Sequence, residues 1–321
     1  MKTSWTWAAA TCRGTSHVRS NTRRQDAFTC TSIGAERDTF IAVVSDGAGS
    51  ASMGGEGASV ACRTIASHAK AFFAKTQEFS PEWDAQQVPD PHQLPDIREL
   101  PGTRESPDDD ESLVANDYPQ TASYAEELPD AQQSPDAQRM TVARELPTDE
   151  LVREWMLDAR RRIFLAAAKR EIKPREFAST IVFVISTGSE TLVAHIGDGA
   201  IVFKPTDADE WLVASWPSHG EYASTTFFLT DEPEPLIKFS RFTDPISALA
   251  LFSDGMETLA LELNDHLPHQ RFFETIIRPL QASSAEGRDV SLSSGLAKFL
   301  DSEKVNERTD DDKTLILAIR R

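Results

Sequence analysis

The chain has 321 residues, with 33 Lys and Arg against 51 Asp and Glu, a net charge of −18. So acidic a surface argues against nucleic acid or an anionic membrane as partner, since both attract basic proteins. No apolar run approaches the roughly 18 residues of a membrane span.

The first ten residues hold one lysine and a very short apolar stretch, which lacks a signal-peptide core. Three cysteines, Cys12, Cys30 and Cys62, are too few and too odd in number for a disulfide framework. They include no Cys-x-x-Cys zinc pair and read as reduced thiols of a cytoplasmic protein.

In chain order, Phe40–Ser45 is an apolar, β-branched strand that stops at Asp46-Gly47. A loop of small residues, 48–55, leads into a helix over 54–73, with Val60, Ile65, Ala69 and Phe72 near one face.

Residues 80–148 then change character. They carry ten of the 18 prolines and sixteen acids against four arginines, a net of −12 that leaves only −6 for the rest. Asp84-Ala85-Gln86-Gln87 recurs at 130–133 and Arg98-Glu99-Leu100-Pro101 at 144–147. Residues 84–101 match 130–147 at ten of 18 positions. Such a segment cannot bury enough apolar surface to offset its ordering entropy, and it reads as a disordered insertion over 80–149. It is either an inert surface loop or a docking or autoregulatory segment.

A helix is expected over 151–172, with Glu150 in its first turn, Leu151, Trp155, Ile163 and Leu165 as apolar content, and Pro174 past its end. Further strands are expected at 180–186, 191–196, 200–203, 211–214, 248–253 and 314–319, and helices at 270–282 and 292–305. Paired helices between runs of strands favour sheet-on-sheet packing with helices outside, an α+β architecture.

Several of these strands end in carboxylates: Asp46-Gly47, Gly197-Asp198-Gly199, Asp254-Gly255, and Asp311-Asp312 just before the last strand. Acids gathered at one end of a sheet repel each other unless cations lie between them, which points to hard divalent metals. The competing reading is a tight turn, for which Asp-Gly is the commonest signal. The turn suits Asp198, because Ala200-Ile201-Val202-Phe203 reads as a return strand. It does not suit Asp46 or Asp254, which precede a small-residue loop and a helical stretch.

The order of these pieces resembles the metal-dependent protein phosphatases of the protein phosphatase 2C type, in their bacterial branch. The resemblance rests on Gly14-Thr15-Ser16-His17 with Arg24-Gln25-Asp26-Ala27-Phe28, then Val44-Ser45-Asp46-Gly47. It continues through Phe177-Ala178-Ser179-Thr180 and His195-Ile196-Gly197-Asp198-Gly199 to Gly220-Glu221-Tyr222-Ala223 with Thr226-Phe227-Phe228-Leu229. Phe252-Ser253-Asp254-Gly255 and Asp311-Asp312-Lys313-Thr314 complete it. Each match alone is weak; seven in family order, over 1–75 and 150–321, are specific.

The resemblance implies one catalytic domain made of 1–79 and 150–321. Its fold is a central antiparallel β-sandwich flanked by helices on both sides (α-β-β-α), with the metal site at one end. It implies a serine/threonine protein phosphatase using a metal-bound hydroxide, with two Mn²⁺ or Mg²⁺ ions and a third, weaker one. Asp46 is then the bridging ligand and Gly47 offers its carbonyl. Asp254 and Asp311 hold one metal, Asp26 acts on the other through water, and Asp198 helps hold the third. The catalytic set is Asp46, Asp254 and Asp311. The implied partners are a phosphorylated protein substrate and a cognate Ser/Thr kinase.

This sequence also departs from the pattern. Many members place an arginine five residues before the first-motif aspartate to grip phosphate, and here that position is Asn21. Arg19 or Arg23 are the candidate replacements. Ala48 stands where eukaryotic members have a proton-donating histidine, so His17 is a candidate donor; its competing reading is a surface or hydrogen-bonded residue. The rival functions are a catalytically weak, phosphatase-like regulatory binding protein and a metal-free scaffold whose acidic insertion binds basic partners.

Overall fold

Alternating apolar residues on the strands create two faces to bury, and both faces are covered. The computed structural model describes residues 4–34, 36–78, 145–187, 189–218 and 226–321. These all belong to one unit spanning 1–80 and 142–321. The acidic insertion and the Gly220–Ala223 motif lie outside the described residues, apart from the insertion's last few, 145–149.

Thirteen strands are described: β1 (Trp5–Cys12), β2 (Ala27–Ile33), β3 (Thr39–Ser45), β4 (Ile181–Ser186), β5 (Thr191–Ile196), β6 (Ala200–Pro205) and β7 (Leu212–Ser215) come first. Then follow β8 (Lys238–Phe242), β9 (Ile246–Phe252), β10 (Leu261–Glu262), β11 (Leu267–Pro268), β12 (Gly287–Arg288) and β13 (Lys313–Arg320). The first sheet has the order β12-β1-β13-β9-β6-β7 and the second β2-β3-β4-β5-β8; β10 and β11 form a small pair. Trp5, Trp7 and Ala9 of β1 meet Phe40, Ala42 and Val44 of β3 in the core between the sheets.

The helices are α1 (Thr15–Arg19), α2 (Gly54–Glu78), α3 (Asp149–Lys169), α4 (Glu257–Ala260), α5 (Gln270–Ala282), α6 (Val290–Leu300) and α7 (Glu303–Asn306). Ile65, Ala69 and Phe73 of α2 and Val152, Met156 and Ile163 of α3 cover the outer face of the second sheet at Ile41, Phe183 and Ile185. Phe273, Ile277 and Leu280 of α5 and Leu296 and Leu300 of α6 cover the first sheet at Ala250, Leu315 and Leu317. The result is the expected four-layer α-β-β-α sandwich. Thr148 caps α3 by accepting from the Leu151 amide at 3.2 Å.

Strand register decides where the carboxylates go. β2 and β3 are antiparallel with Ala27 opposite Ser45, so Asp26 and Asp46 are neighbours beyond their ends. β4 and β5 pair Ile181 with Ile196, placing Thr180 and the 197–199 loop at the same edge. In the other sheet Leu315 faces Phe252 and Cys12 faces Lys313, which brings Asp254, Asp311 and Gly14 together.

Three expectations change. The segment Trp5–Cys12 is a full strand paired along its whole length with β13, although three consecutive alanines give it weak strand propensity. The stretch 292–305 is two helices, α6 and α7, broken at Asp301-Ser302. Finally, Gly197-Asp198-Gly199 is not a hairpin, because β5 lies in the second sheet and β6 in the first. The loop crosses between sheets, and Gly197 takes φ +102° to do so.

Candidate metal centre

Asp46 leaves β3 where the backbone is clamped on both sides. Its amide donates to Thr180 Oγ1 at 3.0 Å, and its carbonyl accepts from the Thr180 amide at 2.8 Å. The Gly47 amide donates to the Gln25 carbonyl at 3.2 Å. A side chain at Gly47 would collide with the Gly54 backbone, so the turn needs glycine. Gln25, buried itself, donates from Nε2 to the carbonyls of Ala48 and Ala51 at 3.3 and 3.0 Å and pins the small-residue loop.

Carboxylate oxygens of Asp46, Asp198 and Asp254 lie within 4.8 Å of one another. Asp26 and Asp46 adjoin at the ends of β2 and β3, close enough that the charge of Asp26 opposes ionisation of Asp46. Asp26 Oδ2 accepts from Ser253 Oγ at 2.7 Å and lies 2.6 Å from Thr314 Oγ1, so one carboxylate ties β2 to β9 and β13. Thr226 Oγ1 hydrogen-bonds Asp198 Oδ2.

Burial drives the electrostatics. It raises the Asp46 carboxyl well above its ordinary range, and the nearby charges of Asp26, Asp254 and Asp311 raise it further. Asp254 is raised by burial and then by Asp198 and Asp311. Asp26 and Asp311 are also raised, mainly by burial. Meanwhile Asp26 Oδ1, Asp198 Oδ1 and Asp254 Oδ1 are buried without a hydrogen-bond partner. Unpartnered, mutually repelling oxygens are a poor arrangement for a fold and a good one for cations. The donor set, all oxygen and without Cys or His, suits hard divalent ions.

The family model for Protein phosphatase 2C matches residues 13–101 and 120–301. The chain belongs to the protein phosphatase 2C family. It is 40% identical over 174 residues to serine/threonine-protein phosphatase 3 of Escherichia coli (strain K12), over 53% of this chain and 67% of that one. Among solved structures, PppA of Pseudomonas aeruginosa aligns with a TM-score of 0.52 at 11% identity, over 99% of this chain and 98% of that one. The S. agalactiae serine/threonine phosphatase aligns with a TM-score of 0.50 at 13% identity, over 98% and 99%. At those identities the two structures support the sandwich fold alone.

Within this protein phosphatase 2C chain, Asp46, Asp198 and Asp254 form the tightest group. Asp26 and Asp311 adjoin it by charge. Arg19 is 68% exposed and paired with Asp310 at 2.8 Å. Arg23 is exposed. Asn21, in the position of the family arginine, has φ +55° and serves the turn after α1.

Asp312 is the residue that sequence reasoning passed over. It is 1% exposed and accepts from the Gly14 amide at 2.6 Å and from the Gln25 amide. His17 Nδ1 lies 2.9 Å from its Oδ1. One buried carboxylate therefore fixes α1, the start of β2 and the first-motif histidine. The doubled acid Asp311-Asp312 was the available signal.

Proposed function

We propose that this phosphatase removes phosphate from phosphoserine and phosphothreonine in proteins, using divalent cations held by Asp46, Asp254, Asp311, Asp26 and Asp198. The observation that carries this reading is the half-buried group Asp46, Asp198 and Asp254, within 4.8 Å, with three orphaned oxygens around it. Bound divalent cations supply a hydroxide nucleophile at neutral pH and neutralise phosphoryl oxygens.

The protein's own residues do the rest. Asp46 would be the shared ligand, with the Gly47 carbonyl beside it; Asp254 and Asp311 would hold one ion, Asp26 would act on the second through water, and Asp198 would help hold a third, weaker one. Mn²⁺ and Mg²⁺ both fit an all-oxygen set. Ser253 and Thr314 keep Asp26 oriented by donating to one of its oxygens. His17 gives a proton to the departing serine or threonine oxygen. The carboxylate of Asp312, 2.9 Å from Nδ1, holds the imidazole in place.

Phosphate binding falls to Arg23, or to Arg19 once it leaves Asp310. A phosphoprotein substrate requires a kinase that made it, so the reaction class upstream is ATP-dependent serine/threonine phosphorylation. We place the enzyme in the cytoplasm, in keeping with its unpaired cysteines. Among the described residues no helix is long and apolar enough to cross a membrane.

The test is hydrolysis of matched phosphothreonine and phosphotyrosine peptides by metal-stripped protein with Mn²⁺ or Mg²⁺ restored. Restored turnover with a preference for phosphothreonine supports the reading. A preference for phosphotyrosine, or turnover that ignores the metal, contradicts it.

A further inference from the structure

Away from the acidic centre, on the outer face of the first sheet, α5 and α6 leave a groove of about 620 Å³. Ala8 of β1 and Leu317 of β13 line its base. Phe272, Ile276, Leu292, Leu296 and Phe299 form its walls. Pockets of this size and lining are typical of small-molecule sites.

The polarity of the groove is segregated. Phe272 and Phe299 are in ring contact at 6.4 Å, so the start of α5 meets the end of α6. At that end stand Arg271, Lys304 and Arg308, all exposed and lining the groove. The other end, around Pro279, Leu280 and Leu292, is apolar. Among the described residues no Asp or Glu lines any part of it, in a chain with 51 of them. Although Glu303 and Glu307 adjoin Lys304 and Arg308 in the chain, the groove itself is lined at this end by cations alone, and that lining complements an anion.

Gly295 adds an independent sign. It sits inside the eleven-residue α6 and lines the groove, and a Cβ built there meets nothing within 4 Å. Glycine is unfavourable in a helix interior, and no packing contact in the free protein calls for it. Close approach of a bound molecule to the helix backbone does.

From these observations we infer that the groove binds an anionic amphiphile, a single alkyl chain ending in a carboxylate. The chain lies along the Phe272–Leu296 wall past Gly295, and the carboxylate is held by Arg271, Lys304 and Arg308. An amphipathic peptide helix fits less well, because it carries its charges in a stripe along its length, whereas the groove has cations at one end only. A bilayer surface fits less well too, since the chain is −18 overall. The inference depends on none of the roles assigned at the acidic centre.

The probe is decanoate, below its micelle concentration, titrated calorimetrically into the full-length protein, with decylamine and decan-1-ol as comparators. Decanoate is expected to bind saturably at one site, about tenfold or more tighter than decylamine. Gly295→Leu fills the groove and should weaken decanoate by about tenfold or more while the thermal melt is unchanged or raised. Should Gly295→Leu fail to fold, R271E with R308E is the second variant, expected to abolish the preference for decanoate over decylamine. Absence of saturable decanoate binding overturns the inference. So does equal binding by decylamine, unchanged binding by a folded Gly295→Leu, or binding to anionic vesicles or an acidic peptide without binding to decanoate.

Discussion

Asp26 and Asp46 stand side by side at the joined ends of β2 and β3, where the charge of Asp26 adds to burial in raising the Asp46 carboxyl above its ordinary range. Without cations the folded site therefore favours protonated acids more than the unfolded chain does. Cations replace those protons when they bind, so occupancy of the site and the protonation of its acids are opposed.

This gives a pH dependence with a definite sign. Asp46 and Asp254 have folded pKa values raised above the ordinary carboxylate range, chiefly by burial. Their contribution to stability is present at low pH and lost as pH rises through the folded values. Metal-stripped protein should melt at a lower temperature at pH 8 than at pH 5.5, and Asp46→Asn should narrow that gap. Asp158 does not confuse the test: His68 and Arg162 hold it below the ordinary range, so its contribution fades only in stronger acid. Calorimetry in EDTA checks this; an unchanged gap in Asp46→Asn would show that the Asp46 carboxyl is not the cause.

His17→Gln should separate substrates by leaving group. An aryl phosphate releases a stable phenolate and needs little protonation, so its kcat should fall only slightly. A phosphoserine peptide releases an alkoxide and should lose about 10²-fold or more in kcat. Steady-state kinetics on both substrates decides. Equal losses would make His17 a structural partner of Asp312 and nothing more.

Asp198→Ala tests the inter-sheet crossing. Its carboxylate is in the group with Asp46 and Asp254 and is held by Thr226. The variant should fold, retain tightly bound metal and turn over more slowly, with more added metal needed for half-maximal rate. Complete loss of bound metal would give Asp198 a larger role than the one assigned here. An unchanged rate would leave it a loop residue.

Replacing residues 81–141 with a short Gly/Ser linker, which keeps the buried Leu146 and the cap Thr148, should leave folding and aryl phosphate hydrolysis intact, since loop-closure cost grows slowly with length. Activity on a protein substrate should change, because the segment carries a net charge of −12. Comparing the deletion with wild type on both substrates reads this out. Loss of fold would make the segment structural.

Much of the fold is legible in the sequence because burial imposes period. β3, β5 and β9 are apolar runs with turn residues at their ends, and α3 is framed by Thr148 and Pro174. β1 is harder to read, since its alanines carry little strand signal and its place comes from long-range pairing with β13. The Asp198 loop misleads for a similar reason: Gly-Asp-Gly between two strands looks alike whether the strands pair or part into different sheets. Asp312 is legible only in three dimensions, because its partners Gly14, His17 and Gln25 are nearly three hundred residues away in sequence. The groove between α5 and α6 is likewise a product of packing, since its cations come from separate helical segments.

The most direct test of the central claim is turnover of a phosphothreonine peptide by wild type and Asp46→Asn, each stripped with EDTA and then titrated with Mn²⁺ while bound ions are counted. The account predicts no turnover in EDTA and recovery in wild type as two or more ions bind. Asp46→Asn should bind fewer ions and lose nearly all activity at any metal concentration. Full activity in EDTA, or wild-type turnover by Asp46→Asn, would contradict it.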